Sequence, residues 1–306
     1  MIRLFFLLSL FGCATGNNFQ QISQDEVDIS HLNLVPRTVE VYNGKVKYIT
    51  FPVDLPSKNY NLECISDQKE VKPRTYLLKV ANGQAQLYYA ENYHSQASSH
   101  ECYLKIQHNS FHALNVKVKQ FPYKQEFLNV ARKRVVLSQV DQKRVEKEWL
   151  MTREIYKNSM GDFLIEKPFR KPLKSKITSY YGKRRIFNKI KKTQHLGYDF
   201  RAGVGKRIPA SNDGKVVFVG NLFYTGNVVI IDHGMNLFTL YAHLSKFKVK
   251  LGDMIQQGQI IGLAGRTGRV SGPHLHWGVK LHGNNVDGLS LVEESKKQFL
   301  NNVVGN

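Results

Sequence analysis

The sequence predicts two all-β units joined by one helical stretch. Three observations carry this. Apolar and polar residues alternate in short runs before residue 122 and again after 177, with Asn, Gly and Pro between the runs. Between these regions, from 138 to 158, apolar positions recur at helical spacing. Beyond residue 13, no run approaches the ~20 apolar residues of a membrane-spanning helix. With 306 residues, 42% hydrophobic and 22% charged, the chain has a globular composition. A collagen-like, mucin-like or wholly disordered chain is excluded.

Residues 1–13 are laid out as an export signal. Met1-Ile2-Arg3 is a short positive start, Leu4 to Phe11 is apolar except for Ser9, and Gly12-Cys13-Ala14 is a small-residue ending. Leu10-Phe11-Gly12-Cys13 resembles a bacterial lipoprotein box, which implies lipidation of Cys13 and membrane anchorage. The alternative is cleavage after Ala14 without a lipid. Either route predicts an exported protein of the periplasm or cell envelope. Residues 14–30, polar and rich in Asn and Gln, read as a tether.

Residues 31–122 read as a β-sandwich of immunoglobulin type. Val39 and Val41, then Asn43-Gly44, then Val46 and Tyr48 predict a hairpin. Further strands are expected over 74–80, 84–90, 101–107 and 113–119. Cys64 follows Leu62 at strand spacing, and Cys102 opens the alternation Cys102, Leu104, Ile106. In an exported chain this even pair predicts a disulfide, with two buried thiols as the alternative. His94, His100, His108 and His112 are scattered and read as surface or packing residues.

Residues 123–170 read as a helical linker. Ser138 with Asp141 resembles a capping box. Val145, Trp149, Thr152 and Tyr156 form a stripe expected to pack on a neighbouring unit, and Glu146, Lys147, Glu148, Arg153 and Glu154 suit a solvated face. Residues 171–306 read as an all-β domain of antiparallel sheets, with glycine-rich turns throughout.

The chain carries 44 Lys and Arg against 24 Asp and Glu, a net charge of +20, and residues 171–306 hold 21 of the former and 7 of the latter. Such a field favours a polyanion: nucleic acid, an anionic membrane surface or an acidic wall polymer. The export signal argues against nucleic acid.

Three patterns in the last region carry chemistry. In His195-Leu196-Gly197-Tyr198-Asp199, an imidazole and a carboxylate lie four apart on one side of an extended segment. Tyr241-Ala242-His243-Leu244 ends a strand. His274-Leu275-His276 puts two imidazoles on one strand face. Imidazole and carboxylate suit a borderline cation such as zinc, three protein ligands leaving one tetrahedral position open.

Together these patterns resemble the lysostaphin/LytM-type zinc metallopeptidases that cut bacterial cell-wall peptides. The resemblance runs from about Ile177 to Leu289. It includes Thr178-Ser179-Tyr180-Tyr181-Gly182, Val229 to Gly234, Gly252 to Gly262, Gly265-x-Thr267-Gly268 and Gly272-Pro273-His274-Leu275-His276. It implies one zinc held by His195, Asp199 and His276, with His243 and His274 as catalytic histidines and peptidoglycan as substrate. Gly278 stands where many members carry Glu, and the basic insert Lys183 to Lys192 is longer than in the shortest members. Family members that have lost the ligands activate cell-wall amidases without catalysis; here every position is filled. Gly252 to Gly262 also resembles a biotinyl/lipoyl carrier hammerhead, but no Met-Lys or Lys-Met pair occurs in the chain. His233 reads as a turn residue and His282 as exposed.

Overall fold

The computed structural model describes residues 27–128, 137–187 and 191–304. The expected signal, with Cys13, and most of the tether lie outside the described residues.

The first seven strands are β1 (Arg37–Tyr42), β2 (Val46–Pro52), β3 (Asn59–Ser66), β4 (Arg74–Ala81), β5 (Gln84–Ala90), β6 (Ser98–Ile106) and β7 (Asn109–Lys119). They form one sheet in the order β1-β7-β6-β3-β4-β5-β2. The expected two-sheet sandwich is therefore replaced by one continuous seven-stranded sheet. Period-2 burial explains the strands: Tyr60, Leu62 and Cys64 of β3, Tyr76, Leu78 and Val80 of β4, and Cys102, Leu104 and Ile106 of β6 all enter one core. The Cys64–Cys102 disulfide joins paired positions of β3 and β6.

The Asn43-Gly44 turn forms, but it does not make the expected hairpin. β1 pairs in parallel with β7, and β2 pairs with β5. The turn is claimed by other strands: buried Asn43 donates to the Tyr93 carbonyl and accepts from the Phe121 amide at 2.7 Å, and the Gly44 amide donates to Glu91 at 3.0 Å.

Strand β8 (Gln125–Leu128) is followed by helix α1 (Gln139–Lys157). Ser138 caps the helix, accepting from the Asp141 amide at 3.1 Å. Of the expected apolar stripe, Tyr156 packs edge-on against Phe238, with ring centroids 5.1 Å apart. Trp149 is solvent-exposed beneath Arg153, contrary to expectation, and none of the helix's residues is buried.

The remaining strands are β9 (Ile177–Ser179), β10 (Arg184–Phe187), β11 (Lys191–Gln194), β12 (Tyr198–Arg201), β13 (Arg207–Pro209), β14 (Gly214–Leu222), β15 (Gly226–Asp232), β16 (Leu237–Phe247), β17 (Met254–Ile255), β18 (Ile260–Ala264), β19 (His274–Leu281) and β20 (Asn284–Val286). Ten of them make an antiparallel sheet with the path β17-β14-β15-β16-β19-β12-β9. β10 pairs with β11 and, in parallel, with β8. The region is not wholly β: it ends in helix α2 (Gly288–Val304). Leu291, Val292, Ser295 and Gln298 give this helix a buried face at i, i+1, i+4 and i+7.

The two sheets share a core. Val46, Tyr48, Tyr88, Ala90 and Tyr93 of the first region cluster with Leu237, Leu281 and Leu291 of the second. Polar contacts cross the same boundary. Lys45 pairs with Asp287 at 2.5 Å, Ser290 and Glu294 accept from the Val46 and Tyr48 amides, and the Tyr88 hydroxyl donates to Gln298.

Candidate metal centre

Strands β12 and β19 bring the predicted residues together. Their register places Asp199 opposite His276 and Arg201 opposite His274. Phe200, Leu275 and Trp277, on the other face, are fully buried, which fixes the parity of both strands. β16 continues the sheet with Ala242 opposite His276, and His243 follows with φ +62, a strained turn that redirects its side chain.

His195 reaches the same point from the end of β11. Its Nε2 lies 3.0 Å from Asp199 Oδ1 and 3.1 Å from His276 Nδ1, and His276 Nδ1 lies 2.9 Å from the same carboxylate oxygen. One ligand atom from each residue falls within 4.8 Å of the other two. His195 Nδ1 donates to the Tyr180 carbonyl at 3.1 Å, close to the Ser179 hydroxyl. That bond leaves a lone pair on Nε2 facing the cluster. Gly197 makes the approach possible, because a Cβ there would stand 2.5 Å from His276 Cε1 and 2.8 Å from the Trp277 carbonyl.

Burial by itself would raise the Asp199 pKa, but the adjoining His195 and His276 imidazoles outweigh it and hold the carboxyl well below the usual range. Burial lowers His276, with Asp199 opposing. The donor set is two imidazole nitrogens and one anionic oxygen, half-buried, with the other His195 nitrogen anchored to a carbonyl. This chemistry fits zinc.

The two remaining histidines flank the cluster. His274 Nδ1 donates to the Gly272 carbonyl at 2.9 Å, and its Nε2 lies 3.6 Å from Asp199 Oδ1. His243 Nδ1 donates to the Thr267 carbonyl at 2.9 Å, and its ring centroid is 4.7 Å from that of His274. Burial, then the neighbouring His276 and His274, bring His243 down to about 4. Both Nδ1 atoms carry the ring proton, so both Nε2 atoms hold lone pairs.

The structure thus assembles all five residues singled out in the sequence. It corrects two others. His233 is fully buried, bonded to the Asp213 carbonyl at 2.5 Å and to Thr239 at 2.7 Å, rather than only turning the chain. His282, expected to be exposed, packs edge-on against Tyr76 with centroids 4.9 Å apart. Sequence reasoning also missed the support behind His195. The Gly182 amide donates to the His195 carbonyl at 2.7 Å, and the His195 amide donates to Lys183 at 2.9 Å. The Tyr93 hydroxyl, from the first region, donates to the Gly182 carbonyl at 2.9 Å. Tyrosines at 93, 123 and 181 were the available signal, but aromatic residues near turns are too common to point to a partner.

The antiparallel sheet thus presents two histidines and an aspartate, flanked by two oriented imidazoles. Residues 193–288 match the model of Peptidase family M23, and this C-terminal part of the chain belongs to that family. It is similar to the peptidoglycan DD-endopeptidase ShyA of Vibrio cholerae, at 42% identity over 137 residues, 44% of this chain and 32% of ShyA. It is also similar to the DD-carboxypeptidase/endopeptidase Mpg of Neisseria meningitidis, at 41% identity over 98 residues, 32% of this chain and 23% of Mpg. The matches thus span about a third or less of these relatives. A crystal structure of a putative M23 peptidase from Pseudomonas aeruginosa superposes with a TM-score of 0.62 at 22% identity, covering 83% of this chain and 95% of that one. This shows that the fold is shared across both regions.

Proposed function

We propose that this protein is a zinc-dependent endopeptidase that hydrolyses peptide cross-links of bacterial peptidoglycan. The observation that carries the reading is the convergence of His195 Nε2, Asp199 Oδ1 and His276 Nδ1 within 4.8 Å, beside two further imidazoles that face them. His195, Asp199 and His276 would hold the metal. When bound, zinc supplies Lewis acidity that polarises a peptide carbonyl and acidifies water. His274 Nε2, nearer to Asp199, takes the proton of the attacking water. His243 then hydrogen-bonds the developing oxyanion or the leaving amine once it carries a proton. General acid–base help of this kind contributes ~10²–10⁴-fold. The names of ShyA and Mpg support a cross-link containing D-amino acids as substrate. Export, with anchorage through a lipidated Cys13, places the enzyme at that polymer.

Purified cross-linked muropeptides, digested and analysed by mass, test the reading. Chelation should abolish cleavage and added zinc should restore it. Alanine at His195, Asp199 or His276 should lose metal, whereas His274→Ala should keep metal and lose turnover by about two orders of magnitude or more. A metal-free wild type without hydrolysis would support an amidase activator instead. For Cys13, wild-type protein should fractionate with membranes and Cys13→Ala should not.

A further inference from the structure

We infer that Arg201 is the carboxylate-binding residue beside the metal ligands, and that the substrate carries a free carboxylate within one residue of the scissile amide. This rests on the peptidase reading above. The register of β12 and β19 sets the geometry. Asp199 and Arg201 are two apart on β12, opposite His276 and His274 respectively, so all four side chains leave the same face of the sheet. Phe200 and Leu275, on the opposite face, are fully buried. Arg201 itself is exposed.

Charge completes the argument. Among the described residues, no carboxylate lies within ion-pair distance of the Arg201 guanidinium; Asp199, two positions away, is turned to His195, His274 and His276. Its amide donates to the Lys176 carbonyl at 2.9 Å, which ties down the backbone and leaves the guanidinium free of that bond. The acid that would pair with it is left for a ligand to supply. A guanidinium is the side chain suited to that acid, because its planar fork binds a carboxylate through two parallel hydrogen bonds.

The spacing sets the register of the ligand. Asp199 and Arg201 are separated by two strand positions, roughly 7 Å along β12. A peptide bound at the metal ligands spans that distance with a single residue and its terminal or side-chain carboxylate. Arg201 thus stands one position beyond the chemistry, in a place to select rather than to react.

The test uses the full-length zinc-loaded chain and two cross-linked muropeptide dimers. They differ only in whether the carboxylate flanking the scissile amide is free or amidated. Wild type should prefer the free acid by about tenfold or more in kcat/KM, mostly through KM. Arg201→Gln should bring that ratio close to one, and Arg201→Lys should leave it intermediate, because the charge stays and the fork is lost. Bound zinc and the melting temperature, measured beside the kinetics, check that the centre is intact. A ratio unchanged in Arg201→Gln, or a wild type that cuts both dimers equally, overturns the carboxylate assignment. An equal fall in kcat on both dimers also overturns it, and gives Arg201 a role at the reacting atoms instead. A zinc-loaded wild type that cuts neither dimer overturns the peptidase reading on which the inference stands.

Discussion

Gly182→Ala should loosen the metal centre from outside it. Gly182 has φ +81, and a methyl there would overlap Cδ1 and Cε1 of the Tyr123 ring and stand 2.9 Å from its Cγ. That ring cannot swing aside freely. It is buried, its hydroxyl donates to the Asn43 carbonyl at 2.7 Å, and it packs on Tyr93 with centroids 4.6 Å apart. A left-handed alanine costs ~1–2 kcal/mol, and forcing a methyl into a filled site costs ~1–3 kcal/mol. Together they give a loss of about 2–5 kcal/mol, a fall in melting temperature on the order of 10 °C for a chain of this size. Gly83 supplies the control, with φ +69 and no atom within 4 Å of the added methyl, so Gly83→Ala carries the backbone cost alone. The Gly182 amide holds the His195 carbonyl, so zinc affinity should fall several-fold in Gly182→Ala and stay unchanged in Gly83→Ala. Urea unfolding and chelator competition measure the two quantities. In a Tyr123→Ala background the penalty at Gly182 should shrink toward that at Gly83. A Gly182→Ala protein as stable as Gly83→Ala, with zinc affinity intact, would refute the reasoning.

Removing the disulfide with Cys64→Ala and Cys102→Ala reopens a 38-residue separation and should cost ~3–4 kcal/mol in the chain-entropy account, read as a lower urea midpoint. Buried His233, brought by desolvation down to about 4 from 6.5, stays neutral when folded while the unfolded chain takes up a proton. Its contribution is therefore complete above pH 6.5 and is lost as the pH falls toward 4, by up to ~1.4 kcal/mol per pH unit. His233→Gln should flatten the fall in stability over that window, and an identical slope in both proteins would count against it. The basic insert, Lys183, Arg184, Arg185, Lys189, Lys191 and Lys192, should make binding to intact sacculi weaken with salt, since screening shortens to ~8 Å at physiological ionic strength. Neutralising these residues should reduce sacculus binding more than turnover of a small peptide, as a pull-down beside kinetics would show.

The centre was legible in the sequence because its information is local. Two histidines at i and i+2 share a strand face whatever the fold around them, and His195 and Asp199 are only four residues apart. What was not legible is how the first sheet meets the second, because that depends on which face of a strand is covered by something distant in sequence. Strand β5 shows the difficulty. Leu87, Tyr88, Tyr89 and Ala90 are all buried in succession, where a strand with one wet face would alternate. Leu87 and Tyr89 fill the core of their own sheet, while Tyr88 faces the shared core and donates to Gln298 of α2. The run in the sequence says that both faces are covered; it does not say by what. Helix α2 escaped notice for a related reason. Its buried face holds two apolar residues and two polar ones, Ser295 and Gln298; Ser295 accepts from the Phe169 amide, and Gln298 accepts from Tyr88 across the boundary. A hydrophobic pattern cannot register a face recognised through hydrogen bonds. The contact so concealed reaches the chemistry, since Tyr93 holds Gly182 and Gly182 holds His195. The first sheet is thereby a structural part of the site that its own sequence gives no sign of serving.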